Sequence, residues 1–244
     1  MREFLLFRLY GPMAAWGNIA VGEDRPSFAH PSKAAVIGLL AAALGITRND
    51  AERQRSLAMC CYFAVRVDAA GSLLSDYHTI QSPASKPRVI YHTRRAELAA
   101  DKIHTILSAR DYRCEAAYTV ALEIRQGGAY TARQLADALA RPVFTLYLGR
   151  KCCPPAMPLK PRVVIAPSLE DALAGERIGD IALPELFSRP HTLLYWEEGM
   201  RTDLIREQVI ARRDEPLSRC RWQFTERYEC YCSLAKEDAA CTSQ

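Results

Sequence analysis

The stretch EAAYTVALEIR, residues 115–125, predicts a β-strand with one buried face. Apolar side chains alternate along it from Tyr118 to Ile124, and alternation with a period of two is the pattern of a half-buried strand. A helical pattern follows in TARQLADALAR, residues 131–141, with Thr131 as the expected N-cap. Strand and helix together predict a β-α unit. The topology of the whole fold then depends on the elements predicted on either side of this unit.

The flanking segments supply three more strands and one more helix. EFLLFRLYGP, residues 3–12, and CCYFAVRVD, residues 60–68, are short apolar runs that predict strands. Between them, PSKAAVIGLLAAALGI predicts a helix over Ser32–Leu44, with the serine as N-cap. PVFTLYLGR, residues 142–150, predicts the fourth strand. The order β-α-β-β-α-β is the ferredoxin-like topology, which RNA-recognition motifs share, and it places the chain in the α+β class.

One long insertion interrupts this order. Residues 69–113 stand between the second and third strands, where a short hairpin turn would suffice. Connections of that length are usually functional or disordered. After Pro161, short strand-like pieces alternate with turn-rich segments. We therefore predict a ferredoxin-like domain over residues 1–160, with the insertion at 69–113, and a small, mainly β C-terminal region over 161–244.

The composition is that of an ordinary globular protein. The chain has 244 residues, of which 49% are hydrophobic and 25% are charged, so it can bury one large core or two modest ones. Its first residues include Glu3 and lack the small-residue cleavage site of a secretory signal peptide. The longest apolar candidate, Val36–Ile46, is shorter than the roughly 18 residues that cross a bilayer. We expect a cytoplasmic protein without membrane contact.

The charges are unevenly distributed, although the net charge is only +4. Residues 138–169 contain five cations and no acid, and residues 25–49 contain three cations and no acid. Residues 76–113 also carry an excess of cations, and each of these segments holds a tyrosine or a histidine. Such segments suit a polyanion-binding face, because cations contact phosphates and rings stack on bases. A merely solvated surface is the other interpretation.

Motifs for catalysis and for cofactors are missing from the sequence. It has no glycine-rich phosphate loop, no nucleophile elbow and no zinc-protease helix motif. The nine cysteines show no C-x-x-C spacing, so we expect packed or idle thiols, with neither a metal nor a cofactor. An acid/base set for metal-independent RNA cleavage could be assembled in the insertion from Tyr77, His78, Lys86 and His92.

Several short motifs carry a family resemblance. They are FRLYGPMAAWG at residues 7–17, then Arg25–Pro26, PSKAAVIGLLAAALGI, SDYHTI, YTVAL and YLGRKCCP at residues 147–154. In this order and spacing they resemble the CasD family, the subunit of the type I-E CRISPR Cascade complex that binds the 5′ handle of the CRISPR RNA. The resemblance covers residues 1–165 well and the rest only loosely.

This resemblance implies a function as well as a fold. It implies a ferredoxin-like domain of the RAMP superfamily that caps the 5′ handle of the CRISPR RNA without cleaving it. Residues 69–113 would form a thumb that docks on the backbone subunit CasC, and the large subunit CasA and target DNA would be met within the complex. Relatives in systems without a separate processing enzyme cleave the repeat RNA, so a metal-independent endoribonuclease is the alternative. A protein–protein adaptor with a basic face is the third possibility.

The segment around Gly149 is the expected RNA grip. Gly149 ends the predicted fourth strand, and its lack of a Cβ would let an RNA backbone approach closely. Arg150 and Lys151 follow where phosphates would run, and Tyr147 offers a ring for stacking. Lys151 replaces the arginine common in the family, which keeps the charge but loses bidentate geometry.

Six further residues complete the predicted RNA-binding set. Ser32 and Lys33 would bind a phosphate at the helix N-terminus, because free N–H groups and the helix dipole add to the ammonium charge; simple capping is the alternative. Trp16 is either a core anchor or a wall for a nucleotide. The remaining members come from the other basic segments: Arg25, His78 and Arg110.

Overall fold

The computed structural model describes residues 1–84, 89–175 and 191–235, and within them it has nine strands and five helices. The strands are β1 (Arg2–Ala14), β2 (Asp24–Arg25), β3 (Cys61–Ala69), β4 (Ser72–Pro83), β5 (Ile103–Ile124), β6 (Arg162–Ala166), β7 (His191–Glu197), β8 (Gln208–Ser218) and β9 (Gln223–Ala235). The helices are α1 (Lys33–Ala43), α2 (Ala51–Met59), α3 (Arg94–Leu98), α4 (Ala132–Ala140) and α5 (Leu169–Leu173). Lys86 lies outside the described residues.

All nine strands belong to one sheet, and together with the five helices they form an α+β fold. The order along the sheet is β6-β1-β5-β3-β7-β9-β8, and every neighbouring pair on this path is antiparallel. β2 and β4 lie off this path, where β2 pairs with β5 in parallel and β4 pairs with β5 antiparallel. The C-terminal strands therefore continue the first sheet and do not form a sheet of their own.

β5 takes part in two structures. Its C-terminal half lies between β1 and β3, where the stretch 115–125 was predicted to form a strand. Its N-terminal half pairs with β4 from Cys114 opposite Ser72 to Ile103 opposite Pro83. The insertion at 69–113 thus contains a long antiparallel hairpin, β4–β5, whose second strand continues into the middle of the sheet.

The alternating side chains of β1 enter two different cores. Leu5, Phe7 and Leu9 pack with α1, α2 and α4 on one face of the sheet. Phe4 and Leu6 pack on the opposite face against α5 and β7. Because side chains alternate between the faces of a strand, a strand covered on both sides reads as a continuous apolar run, which explains the sequence of β1.

Both predicted helices begin at the predicted caps. The Ser32 hydroxyl accepts the N–H of Ala35 at 3.2 Å at the start of α1, and Thr131 forms a capping box with Gln134 at the start of α4. α2 was not predicted from the sequence, because its residues AERQRSLAM are largely polar. Among the described residues, none of the helices is both long and apolar enough to cross a membrane.

The predicted fourth strand over residues 142–150 is wrong. This segment, called the 142–150 loop below, contains no strand. The N–H groups of Val143 and Phe144 donate to the carbonyls of Ala43 and Ala42 at the end of α1, so they are not available to a sheet. β6, which was expected in the C-terminal region, lies beside β1 instead. The 142–150 loop therefore covers the end of α1, next to the candidate site.

Candidate nucleic-acid interface

A cleft of about 1210 Å³ lies between α1, the loop after β1, the 142–150 loop and the hairpin formed by β8 and β9. Arginines outnumber acids among its lining residues by six to two. The arginines are Arg25, Arg48, Arg150, Arg212, Arg213 and Arg219, and the acids are Asp214 and Glu226. Exposed rings also line it, including Tyr147 and Trp222. A cationic groove with accessible rings is what single-stranded nucleic acid requires.

Arg150 connects three elements at one wall of the cleft. Its guanidinium donates to the carbonyl oxygens of Asp111 in β5 and Arg25 in β2, each at 3.0 Å. The same group lies 4.5 Å from the centre of the Tyr112 ring. These partners are neutral, so the described residues orient the charge of Arg150 without cancelling it. Such a guanidinium can bind a phosphate through charge-assisted hydrogen bonds.

Arg25 and Arg110 are brought together by the parallel pairing of β2 with β5. Arg25 is exposed, and its guanidinium donates to the carbonyl of Gly22 at 2.7 Å. On the other side of β5, Arg110 pairs with Asp76 of β4, and the Asp76 carboxylate lies 3.1 Å from Nδ1 of His78. The structure therefore places Arg25 and Arg110 with Arg150 at the root of the β4–β5 hairpin, and His78 further along it.

Tyr147 and Gly149 line the cleft, but Gly149 is required for a different reason from the expected one. Its φ is +86°, and a Cβ at this position would overlap the carbonyl oxygen of Ala15. The missing Cβ makes room for the protein's own loop after β1, and the approach of an RNA backbone to Gly149 stays a prediction. Tyr147 is 39% exposed, and Lys151 is exposed just beyond the cleft.

Trp16 is a core residue. Its side chain is 1% exposed and packs edge to face on Tyr118, with ring centres 5.6 Å apart. Its backbone N–H donates to the hydroxyl of Ser27 at 3.0 Å, and its carbonyl accepts the N–H of Phe28 at 2.7 Å. The core-anchor interpretation is therefore confirmed, and the nucleotide-wall interpretation is wrong because the ring is inaccessible.

Ser32 and Lys33 do not form the expected phosphate site. The Lys33 side chain is buried, and its Nζ lies 2.9 Å from Glu197 and 2.5 Å from Glu215. The backbone N–H of Lys33 donates to the Asp214 carboxylate at 2.9 Å, while Ser32 serves as the N-cap. Carboxylates from β7 and β8 thus occupy the place where an external phosphate was predicted, and that prediction is wrong.

The same network of buried charges continues along the β8–β9 hairpin. Arg227 contacts Asp214 with two nitrogens, at 2.7 and 2.9 Å, and Glu229 at 2.7 Å. His30 lies 3.3 Å from Glu229. Burial alone would raise the pKa of Glu229, but His30, Arg227 and Arg212 lower it to about 2. This network fixes the β8–β9 hairpin against the start of α1 and so positions the second wall of the cleft.

Arg48, Arg213, Arg219 and Trp222 are among the lining residues that were not identified as site candidates from the sequence. Three of them belong to the β8–β9 hairpin, where Asp214 and Glu215 interrupt the run of positive charge. In the structure those two acids pair with Arg227 and Lys33, which leaves the neighbouring arginines to face the cleft. The available signal was an arginine-flanked tryptophan, RCRW, at residues 219–222.

Cys152 and Cys153 have different environments. Cys153 is buried and Cys152 is exposed, and their sulfur atoms lie 3.8 Å apart. Burial and, to a smaller extent, the neighbouring Cys152 raise the pKa of the Cys153 thiol to about 12, so this thiol stays protonated as a packing group. Within the described ranges, no three His, Cys, Asp or Glu side chains come together in a way that could hold a metal ion.

Comparisons with known proteins agree on one family. The family model described as CRISPR-associated protein (Cas_Cas5) matches residues 4–228. The CRISPR system Cascade subunit CasD of Escherichia coli (strain K12) is 35% identical over 168 residues, which are 65% of this chain and 70% of that protein. A chain of a solved CRISPR RNA-guided surveillance complex is 29% identical with a TM-score of 0.65, covering 95% of this chain and 90% of its own. A solved Cas protein is 26% identical with a TM-score of 0.58, covering 96% and 95%.

Proposed function

Because the chain belongs to the Cas5 family of CRISPR-associated proteins, we propose that it is the subunit of a Cascade surveillance complex that binds the CRISPR RNA and caps its 5′ handle. In this proposal the phosphates of the handle run past Arg25, Arg110, Arg150 and Lys151. A base of the handle stacks on Tyr147 at the wall of the cleft.

The observation that supports an RNA ligand is the positive charge at the root of the β4–β5 hairpin. Arg150 is held at 3.0 Å by two backbone carbonyls from different strands, so its orientation is fixed before any ligand arrives. Fixed guanidinium groups that lack a carboxylate partner among the described residues suit a polyanion, since phosphate contacts position a nucleic acid on a protein. The adaptor alternative gives no reason for this arrangement.

We further propose that the β4–β5 hairpin docks on a neighbouring subunit. It carries exposed apolar side chains, among them Leu73 at 54%, Tyr77 at 67% and Ile106 at 44% exposure. A row of exposed apolar side chains on a two-stranded arm marks a protein contact. The proposed partner of the arm is the backbone subunit CasC, and the large subunit CasA and target DNA are the partners proposed within the complex.

We infer that the first part of the sheet is ferredoxin-like. The strand order β6-β1-β5-β3, with α1 and α4 on the same face, fits the β-α-β-β-α-β topology when β6 takes the place of the fourth strand. In this assignment the proposed boundary between the ferredoxin-like domain and the small β region falls after β6, slightly beyond residue 160.

We propose that the protein holds RNA without cleaving it. Metal-independent cleavage requires a base for the 2′-hydroxyl and an acid for the leaving oxygen within reach of one phosphate. The partners that the structure gives Arg150 are two backbone carbonyls and the ring of Tyr112, and none of them is a histidine, a lysine or a carboxylate. His78 lies beside Asp76 on the hairpin, two positions further along β4 than the residue opposite Arg110, and its Nδ1 is 3.1 Å from the Asp76 carboxylate.

Salt-dependent binding of a synthetic RNA with the handle sequence tests the RNA assignment. In the Arg150→Ala, Lys151→Ala variant, the slope of log affinity against log salt should fall in magnitude by about 0.7 to 1.4, because each phosphate contact to a single strand contributes about 0.7. Arg133→Ala, on the exposed face of α4, is the matched control and should keep the slope. An unchanged slope in the folded double variant would contradict the assignment.

Incubation of the full-length protein with a complete repeat RNA in EDTA tests the absence of cleavage. We expect no site-specific product from the wild type or from a His78→Ala, His92→Ala variant. A defined product from the wild type that disappears in this variant would favour the endoribonuclease instead.

A further inference from the structure

Trp222 is exposed at the tip of the β8–β9 hairpin. It is 60% exposed, whereas the other two tryptophans of the chain, Trp16 and Trp196, are 1% and 3% exposed. Its φ is +55°, a conformation that bulky side chains rarely adopt. The Phe224 ring supports the indole edge to face at a centroid distance of 5.4 Å. The turn therefore presents a large ring to solvent in a fixed position beside the cleft.

Two guanidinium groups lie next to this ring. Cζ of Arg48 is 5.2 Å from the ring centroid, and Cζ of Arg219 is 5.5 Å from it. The Arg219 guanidinium also donates to the carbonyl of Ala34 at 3.1 Å. Among the residues that the structure describes, neither group is paired with a carboxylate. Burial lowers the pKa of Arg219 and the charge of Arg48 lowers it further, while Tyr147 acts in the opposite direction.

Gly38 of α1 makes room for Arg219. A Cβ at Gly38 would overlap Nη2 of Arg219. Glycine in the interior of a helix makes the helix less stable than alanine would. At this position the missing Cβ leaves room for the guanidinium at the expense of helix stability. Arg219 can thereby lie across α1 and reach both the helix carbonyl and the indole.

Each of the two walls of the cleft carries an aromatic ring and an arginine. One wall carries Tyr147 and Arg150, and the other carries Trp222 and Arg219. All four residues line the same cleft, so the walls face one continuous space. A strand of RNA that enters along the first wall would meet the second.

We propose that Trp222, Arg48 and Arg219 form a second RNA subsite, in which one nucleobase stacks on the indole and the two guanidinium groups bind the adjacent phosphate. This inference rests on the proposed RNA-binding function. Stacking on an aromatic ring and cation contacts to the backbone are the two means by which proteins hold single strands. A protein partner is less suited to this site, because it would have to supply a carboxylate for two neighbouring cations.

Two variants of Trp222 test the subsite with the handle RNA as probe. Trp222→Ala should weaken binding by roughly 5- to 150-fold, which is the range measured for losing one stacked base. Trp222→Phe retains a flat ring and should retain most of the affinity. Gly38→Ala removes no charge and no ring but displaces the Arg219 guanidinium, so it should weaken RNA binding without lowering the melting temperature.

Tryptophan fluorescence supplies a readout that a merely structural role would not change. Because Trp16 and Trp196 are buried, the long-wavelength part of the emission comes from Trp222. Saturating RNA should quench that part in the wild type, and the quenching should be missing in Trp222→Phe even though this variant still binds.

The outcomes separate this inference from the proposed function. If the wild type binds RNA and the Arg150→Ala, Lys151→Ala variant binds it weakly, but Trp222→Ala binds as tightly as the wild type, the second subsite is overturned and the proposed function stands. If the wild type does not bind RNA, both are overturned. If Trp222→Ala binds RNA normally but fails to enter the complex, the indole contacts a protein and the subsite is again overturned.

Discussion

Lys33→Met should destabilise the fold strongly. Lys33 is 1% exposed and holds Glu197 at 2.9 Å and Glu215 at 2.5 Å. Removing one partner of a buried ion pair leaves an uncompensated charge and typically lowers the free energy of unfolding by about 3–5 kcal/mol. Methionine fills a similar volume, so the loss should come from the two carboxylates that remain and not from a cavity.

The loss of stability in Lys33→Met should depend on pH in a defined direction. Burial raises the pKa of Glu215 and Glu197 raises it further, while Lys33 opposes the rise. Without Lys33 the pKa of Glu215 should therefore rise further above its value in the unfolded chain. A group whose pKa is raised on folding contributes stability below its unfolded pKa and loses that contribution as the pH rises through the folded pKa. Lys33→Met should thus lower the free energy of unfolding more at about pH 8 than at about pH 5.

Urea denaturation at the two pH values measures both effects. Arg133→Met is the control, because Arg133 forms an exposed pair with Asp137 on α4 and its loss should cost no more than about 0.5 kcal/mol at either pH. If Lys33→Met loses less than about 1 kcal/mol at both pH values and instead weakens RNA binding, Lys33 reaches a phosphate. The phosphate site predicted from the sequence would then be right and the ion-pair network wrong.

Two further predictions concern Gly149 and the β4–β5 hairpin. Gly149→Ala should lower the melting temperature more than Gly127→Ala: both glycines have a positive φ, at +86° and +73°, but only at Gly149 would the new Cβ overlap a backbone atom. Equal losses would show that the Ala15 backbone yields without strain. Replacing residues 78–108 by an Asn-Gly turn should leave the sheet folded, because Tyr77 still pairs with Ala109, yet should prevent assembly with the backbone subunit. A variant that assembles normally would rule out the hairpin as the docking arm.

Elements with a local signal were predictable from the sequence. β1, β3 and the second half of β5 showed apolar runs or alternation, and α1 and α4 showed an N-cap before a helical pattern. These features are determined by neighbours along the chain. The 142–150 loop has an equally apolar sequence, but the carbonyls at the end of α1 accept its N–H groups, and no local pattern shows that competition.

The site was predicted in part for the same reason. Arg25, Tyr147 and Arg150 lie on the cleft as expected for a basic segment with a ring. Lys33 had the sequence of an anion site, but the carboxylates that neutralise it are 164 and more residues away in the chain. Trp222 was missed because Asp214 and Glu215 interrupt the positive charge near it in the sequence. In the fold these two acids pair with Arg227 and Lys33.

β5 links the two halves of the proposed function. Its C-terminal half is fixed between β1 and β3, and its N-terminal half forms the arm proposed to dock on the neighbouring subunit. At the junction, Arg150 donates to the carbonyl of Asp111 in β5 and to that of Arg25 in β2. The guanidinium proposed to bind the handle therefore also fixes the root of the arm. Because the proposed RNA contact and the proposed subunit contact involve the same strand, a substitution of Arg150 should affect both RNA affinity and assembly, and both should be measured.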